Sequence, residues 1–137
     1  TKRVGLAMSD PGQILASSYK TLTPKNQKSL ANSIIEIIAA ESVVALVVGM
    51  PFNMNGTLSD RTKEVKEFVS NLENQIKLPL VEWDERWSSV SAEKMLIETG
   101  QQPSRNKQRV DQVAAAFILQ AFLDRLANYK RQNSPTV

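Results

Sequence analysis

The sequence predicts an α/β fold, a mixed sheet flanked by helices, and three observations carry that prediction. Arg3–Leu22 reads as two extended runs around a D-P-G turn, an antiparallel hairpin. Ser42–Asp84 reads strand, helix of roughly 16 residues, strand, a spacing that makes a parallel pair through a right-handed crossover. Helical apolar stripes occupy most of the remaining chain.

In chain order, Arg3–Ser9 alternates Val4, Leu6 and Met8 on one face, which marks a strand. Asp10–Gly12 makes the turn, and Ile14–Leu22 returns as the second strand. Thr23 is expected to cap the first helix with Pro24 in its first position; Leu30, Ile34, Ile37 and Ile38 supply its stripe to about Ala40. Val43–Val48 is a buried-strand run. Gly49, Pro51, Asn53, Asn55 and Gly56 then suit a tight polar loop and are poor at continuing a strand. Thr57–Asp60 reads as a T-x-x-D capping box for a helix running to about Gln75, with Val65, Phe68, Val69, Leu72 and Ile76 facing inward. Pro79 introduces the strand Leu80–Trp83. Ser88 or Ser89 caps a short helix ending at Gly100, Gln101–Gln108 is a polar basic loop, and Val110–Tyr129 is the last helix. Residues 1–131 are thus expected to form a single domain, followed by a flexible tail at 132–137.

Composition narrows the chemistry. A chain of 137 residues that is 42% hydrophobic suffices for one ordinary core, and no apolar run approaches the 18 residues of a membrane span. With no Cys and no His, thiolate and imidazole zinc sites, cysteine nucleophiles and histidine triads are excluded. Acid–base work falls to carboxylates, with Lys or Tyr as the other candidates. The lack of Cys and of a visible secretory signal points to the cytoplasm, or to an organelle matrix in a eukaryote. A net charge of +3 and a pI near 9.3 permit a polyanionic partner, although a solubilising surface explains the charge equally well. Lys2/Arg3, Arg61/Lys63, Arg86 and Arg105/Lys107/Arg109 all fall near predicted loop ends.

The segment Val81–Ser89, V-E-W-D-E-R-W-S-S, delivers Asp84, Glu85 and Arg86 to the C-terminal end of a parallel strand, the edge where ligands and catalytic groups collect in such sheets. Ser42–Gly56 ends the same way, so the two ends are expected side by side. Asp111, opening the last helix, offers a third acid for a carboxylate cluster. Each residue also has a plainer explanation. Asp111 can serve its own helix dipole. Arg86 can bind a phosphate or an internal carboxylate. Asn53 and Asn55 can touch nucleic acid, yet asparagine ahead of Gly56 is first of all turn chemistry. Trp83 reads as core, and Trp87 is the better base-stacking candidate. Arg105, Lys107 and Arg109 are phosphate contacts or a solvated loop.

Four segments, T-K-R-V-G-L-A-M-S-D, V-V-G-M-P-F-N-M-N-G, W-D-E-R-W-S-S and V-D-Q-V-A-A-A-F-I-L-Q-A-F-L-D, stand in one order across the chain. Together they resemble the YqgF family, also called RuvX, a Holliday junction resolvase or pre-16S rRNA nuclease family with the ribonuclease H-like fold. The resemblance implies a nuclease with a two-metal site for Mg2+ or Mn2+, in which Glu85 and Asp111 are ligands and Asp84 is a ligand or orients one. It implies nucleic acid as partner, either structured RNA such as precursor rRNA or branched DNA, with the small ribosomal subunit as a possible host. Lys2, Arg86, Asn53, Asn55, Arg105, Lys107 and Arg109 are the candidate nucleic-acid contacts. In the family a first strand ending in D-x-G precedes the T-K pair and its Asp is catalytic; that strand is expected upstream in the natural protein or from a partner. The substrate expected first is the 5′ end of precursor 16S rRNA. The alternatives are a resolvase-like DNA nuclease and an inactive module that binds RNA or the ribosome. An actin-like ATPase fold would need Gly-rich phosphate loops that five glycines barely provide.

Overall fold

Residues 3–87 and 107–133 are described by the computed structural model. Their order is β1 (Val4–Ser9), β2 (Ala16–Leu22), α1 (Gln27–Ala40), β3 (Leu46–Met50), α2 (Asp60–Glu73), β4 (Leu80–Asp84), a 3-10 turn (Glu85–Trp87) and α3 (Lys107–Asn133). The short helix expected between Ser88 and Gly100, the loop at 101–106 and the end of the tail at 134–137 lie outside the described residues. The chain divides into two compact units, Thr1–Val4 with Leu22–Trp87, and Gly5–Thr21 with Ser88–Val137.

The first unit is built on a parallel pair. β3 and β4 align with Leu46 opposite Leu80, Gly49 opposite Trp83 and Met50 opposite Asp84. The connection through α2 is the crossover a parallel pair requires. Met50, Leu72, Val69, Trp83 and Ala31 are buried; Met50 pairs with Asp84 and Trp83 with Gly49, so the two large strand residues lie on opposite faces of the pair. Trp83 takes the core position its alternation predicts. The strand β3 begins later than the apolar run Val43–Val48 suggests because Val43 is used to end α1. Ser42 adopts a left-handed conformation (φ 53°), and the Val43 amide donates to Ile38 O at 3.1 Å, closing the helix with a C-terminal cap.

Helix starts are decided by reciprocal caps. Asn26, not Thr23, opens α1: its side chain accepts from Ser29 N at 2.8 Å while its own amide donates to Ser29 Oγ at 3.2 Å. Two otherwise unpaired donors are satisfied at once, which a lone threonine hydroxyl cannot do. Ser59, not Thr57, opens α2 in the same way, with Thr62 as its reciprocal partner.

The second unit joins the hairpin to α3. β1 and β2 form a two-stranded sheet, and the short Asp10–Leu15 connection admits only an antiparallel pairing. Asp10 shapes the turn, its carboxylate accepting from the amides of Ile14 (2.7 Å) and Leu15 (3.0 Å), with Gln13 at φ 58°. These amides hold the Asp10 carboxyl below its usual range. α3 starts at Lys107 and runs to Asn133, longer at both ends than the apolar stripe of Val110–Tyr129 indicates, with Ile118 and Leu123 buried. Among the described residues no helix is long and apolar enough to cross a membrane.

Candidate active site

The register that places Met50 opposite Asp84 brings the C-terminal ends of β3 and β4 together, and from those ends two segments diverge. One is the loop from Pro51 to Leu58, the other the turn Glu85–Trp87.

The loop is tied internally. The Asn53 amide donates to Thr57 O (3.0 Å), the Gly56 amide to Asn53 O (2.8 Å), and Asn53 Nδ2 to Thr57 Oγ1 (3.0 Å). The Asn55 carboxamide oxygen accepts from the Thr57 amide (3.1 Å) and hydroxyl (2.6 Å). The Thr57 side chain is therefore held in the loop and does not cap α2. Gly56 has φ 86°, a left-handed conformation that favours glycine. Asn53 and Asn55 thus act as turn residues. At the loop's base, Pro51 O accepts from Thr62 Oγ1 at 2.7 Å and from Ser59 Oγ at 3.2 Å, fastening the N-terminus of α2 to the end of β3.

Arg86 makes the internal-carboxylate pairing. Its Nε donates to both oxygens of Asp84 (3.0 and 2.9 Å), its Nη2 donates to Oδ2, and its amide donates to Oδ1 (3.0 Å). Its Nη1 reaches Met54 O at 3.1 Å, and the guanidinium lies 6.0 Å from the Phe52 ring centre. One arginine therefore pairs with the strand-end carboxylate and latches the loop. Of the five N–H donors of a guanidinium, three are engaged by described residues, and the side chain remains 28% exposed. Lys66, 5.9 Å from the Phe52 ring, also pairs with Glu82 at 3.7 Å, an exposed contact of small energetic value.

The neighbouring acids are driven in opposite directions. Hydrogen bonds from Arg86 hold the Asp84 carboxyl below its usual range. Burial pushes the Glu85 carboxyl up; the positive charge of Arg61 partly opposes this and the charge of Asp84 adds to it. Glu85 is half-buried, and among the described residues no hydrogen-bond donor meets its carboxylate. Two adjacent acids at one strand end are thus shifted in opposite directions by their surroundings. Arg61, in the first turn of α2, is the charge near Glu85 that sequence spacing alone did not single out as a site residue; the S-x-x-T box around it was the available signal.

Asp111 belongs to the second unit and is half-buried. Because α3 begins at Lys107, Asp111 stands beyond the first turn instead of opening the helix, where a helix dipole has largely faded. Gly5 of β1 approaches it so closely that a β-carbon there would overlap the Asp111 carbonyl. Arg109 is exposed on the first turn of α3, not in a loop. Lys2, Arg105 and the side chains of Lys107 and Trp87 lie outside the described residues.

The candidate metal ligands offer only oxygen donors, and a half-buried carboxylate without a hydrogen-bond donor suits a hard divalent cation. Within either unit, no three acidic residues gather in a metal-sized group among the described residues.

A parallel strand–helix–strand unit whose second strand ends in paired acids, in a chain that also carries a hairpin and a long helix, is an α/β arrangement consistent with the ribonuclease H-like class. Nucleases of that class generally use divalent metals. A family model of RuvX, described as Holliday junction resolvase, matches residues 1–125, and the chain belongs to this family. It is 39% identical over 128 residues to a protein of Bartonella tribocorum, covering 93% of this chain and 82% of that one. It is 40% identical over 126 residues to one of Chelativorans sp., covering 92% and 79%. A third relative, from Syntrophomonas wolfei, is 40% identical over 123 residues, covering 90% and 87%. Each of the three bears the name "Putative pre-16S rRNA nuclease".

Proposed function

We propose that this chain is a divalent-metal-dependent nuclease that hydrolyses phosphodiester bonds and matures the 5′ end of precursor 16S rRNA. The observation that carries the reading is Glu85, a half-buried acid at the end of a parallel strand, in the W-D-E-R-W-S-S segment that resembles the family's and lies within the matched residues. Glu85 and Asp111 would hold Mg2+ or Mn2+, which supplies charge stabilisation to the attacking and leaving oxygens. Asp84 stays ionised under Arg86 and fixes the geometry of the strand end from which Glu85 projects. Support for Asp111 comes from its place in the V-D-Q-V-A-A-A-F-I-L-Q segment. Lys2, Arg86, Asn53, Asn55, Arg105, Lys107 and Arg109 serve as contacts to structured RNA, with phosphate charge as the main attraction. The two donors of Arg86 that no described residue engages, and the exposed Arg109, suit that role. Residues 1–131 work as one domain, in the cytoplasm, on RNA of the assembling small ribosomal subunit.

Cleavage of branched DNA is the second reading, favoured by the description of the family model as Holliday junction resolvase. The test compares the full-length protein and its Glu85→Gln variant on a precursor 16S 5′-leader RNA and on a four-way DNA junction, with Mn2+ or Mg2+. Glu85→Gln is expected to abolish cleavage while leaving the circular dichroism spectrum and RNA affinity unchanged. A variant that cuts at the parental rate sinks the nuclease site. Faster cutting of the junction than of the RNA shifts the substrate to the second reading. Tight RNA binding by an unmutated protein that cuts neither would favour an RNA-binding module.

A further inference from the structure

We infer that the β1–β2 hairpin sets the position of Asp111, with Gly5 and Gln112 as its positioning residues. This rests on the reading of Asp111 as a metal-binding carboxylate.

A β-carbon placed on Gly5 would overlap the carbonyl group of Asp111 and come within 2.8 Å of Asp111 Cβ. Non-bonded carbons rest at about 3.5–4.0 Å, so any side chain at position 5 forces a displacement of roughly 1 Å. The obstacle is main chain, and no rotamer change relieves it. The residue after Asp111 is also fastened: Gln112 Nε2 donates to Thr21 Oγ1 of β2 at 3.0 Å. Farther along α3, Gln120 accepts from the Ala16 amide and donates to Ile14 O, both at 2.8 Å. The helix can neither back away from the bare main chain of Gly5 nor slide along the hairpin without breaking one of these bonds. Gly5 thus lets the helix come close at one residue, and Gln112 holds the next residue there.

That residue is an acid standing past the first turn of α3, where the helix dipole has largely faded. Metal–ligand distances tolerate about 0.2 Å, so a shift of roughly 1 Å exceeds the tolerance several-fold. A misplacement of this size lowers a rate by about 100-fold.

The experiment uses the full-length protein with Gly5→Ala, Gln112→Ala, Gln120→Ala and Asp111→Asn. Mn2+ affinity is measured by calorimetry, kcat and KM on precursor RNA, and Tm for each. Gly5→Ala and Gln112→Ala are expected to weaken Mn2+ binding by about 10-fold or more, and Gly5→Ala to lower kcat by about 100-fold with KM nearly unchanged. Gln120→Ala should lower Tm yet keep Mn2+ affinity. If Gly5→Ala does not fold, Gln112→Ala decides alone. Parental Mn2+ affinity and kcat in the positioning variants, with both lost in Asp111→Asn, would overturn the inference and leave the site intact. Loss of Mn2+ affinity in Gln120→Ala in step with Tm would also overturn it, since general loosening would then suffice. If Asp111→Asn itself keeps Mn2+ affinity and kcat, the reading of the site fails first.

Discussion

Replacing Thr62 by valine removes one hydroxyl from the joint between α2 and the end of β3. Thr62 has no exposed surface, and its Oγ1 has three partners: Pro51 O at 2.7 Å, Ser59 Oγ at 2.8 Å and the Ser59 amide at 3.2 Å. One proton and two lone pairs are thereby fully used. Valine keeps the branched shape, so no large cavity forms and the loss is mainly polar. Pro51 O retains Ser59 Oγ, whereas the Ser59 amide loses its acceptor. A net hydrogen bond is worth about 1 kcal/mol and an unsatisfied buried donor costs about 1–3, giving roughly 2 kcal/mol in total. With a urea slope of about 2 kcal/mol/M, the unfolding midpoint should fall by about 1 M at unchanged slope. Ser59→Ala acts on the same carbonyl, so the double variant should be less destabilised than the sum by about 1 kcal/mol. A midpoint shift below about 0.25 M, or strict additivity, would refute this account of the joint.

Two further outcomes are expected. Because Arg86 depresses the folded-state pKa of Asp84, the stability contributed by that carboxylate is present above its ordinary value of 3.8 and is lost as pH falls through the folded value. Asp84→Asn should therefore lower the urea midpoint near about pH 7 and do so progressively less as the pH falls below 3.8; a pH-independent difference would contradict the pairing. Gly56→Ala places a β-carbon on a residue at φ 86° and 3.4 Å from Arg86 Nη1, and should destabilise by about 1–3 kcal/mol in the same assay. Gly56→Asn should cost less, since asparagine tolerates that conformation.

The parallel pair was legible in the sequence because two apolar runs stand a crossover's length apart, and a chain of that spacing has few other solutions. Its first boundary was not, because Ser42 takes a left-handed conformation usually given to glycine and draws Val43 into the cap of α1. Helix starts were misplaced where one hydroxyl looked sufficient. The caps that form are reciprocal, Asn26 with Ser29 and Ser59 with Thr62, and Thr57 is already held by Asn53 and Asn55. At the site, the Asp84–Glu85 pair could be located from its strand end. The partner of Arg86 stood open between a phosphate and an internal carboxylate, and the 3-10 turn brings its amide and guanidinium onto Asp84. Gly5 appears in the sequence as a motif letter. Its reason, main chain lying against Asp111, exists only once the hairpin and α3 have met.

Gln112 and Gln120, eight residues apart, join α3 to the hairpin at points about 12 Å apart along the helix axis. A rod fixed at one point can pivot; a rod fixed at two, about 80° apart around its axis, cannot turn without releasing an end. Inserting a single residue between them would swing one glutamine about 100° around the axis and strand it on the wrong side. The interval 113–119 should therefore reject changes of length, even though an α-helix taken by itself is indifferent to one residue more.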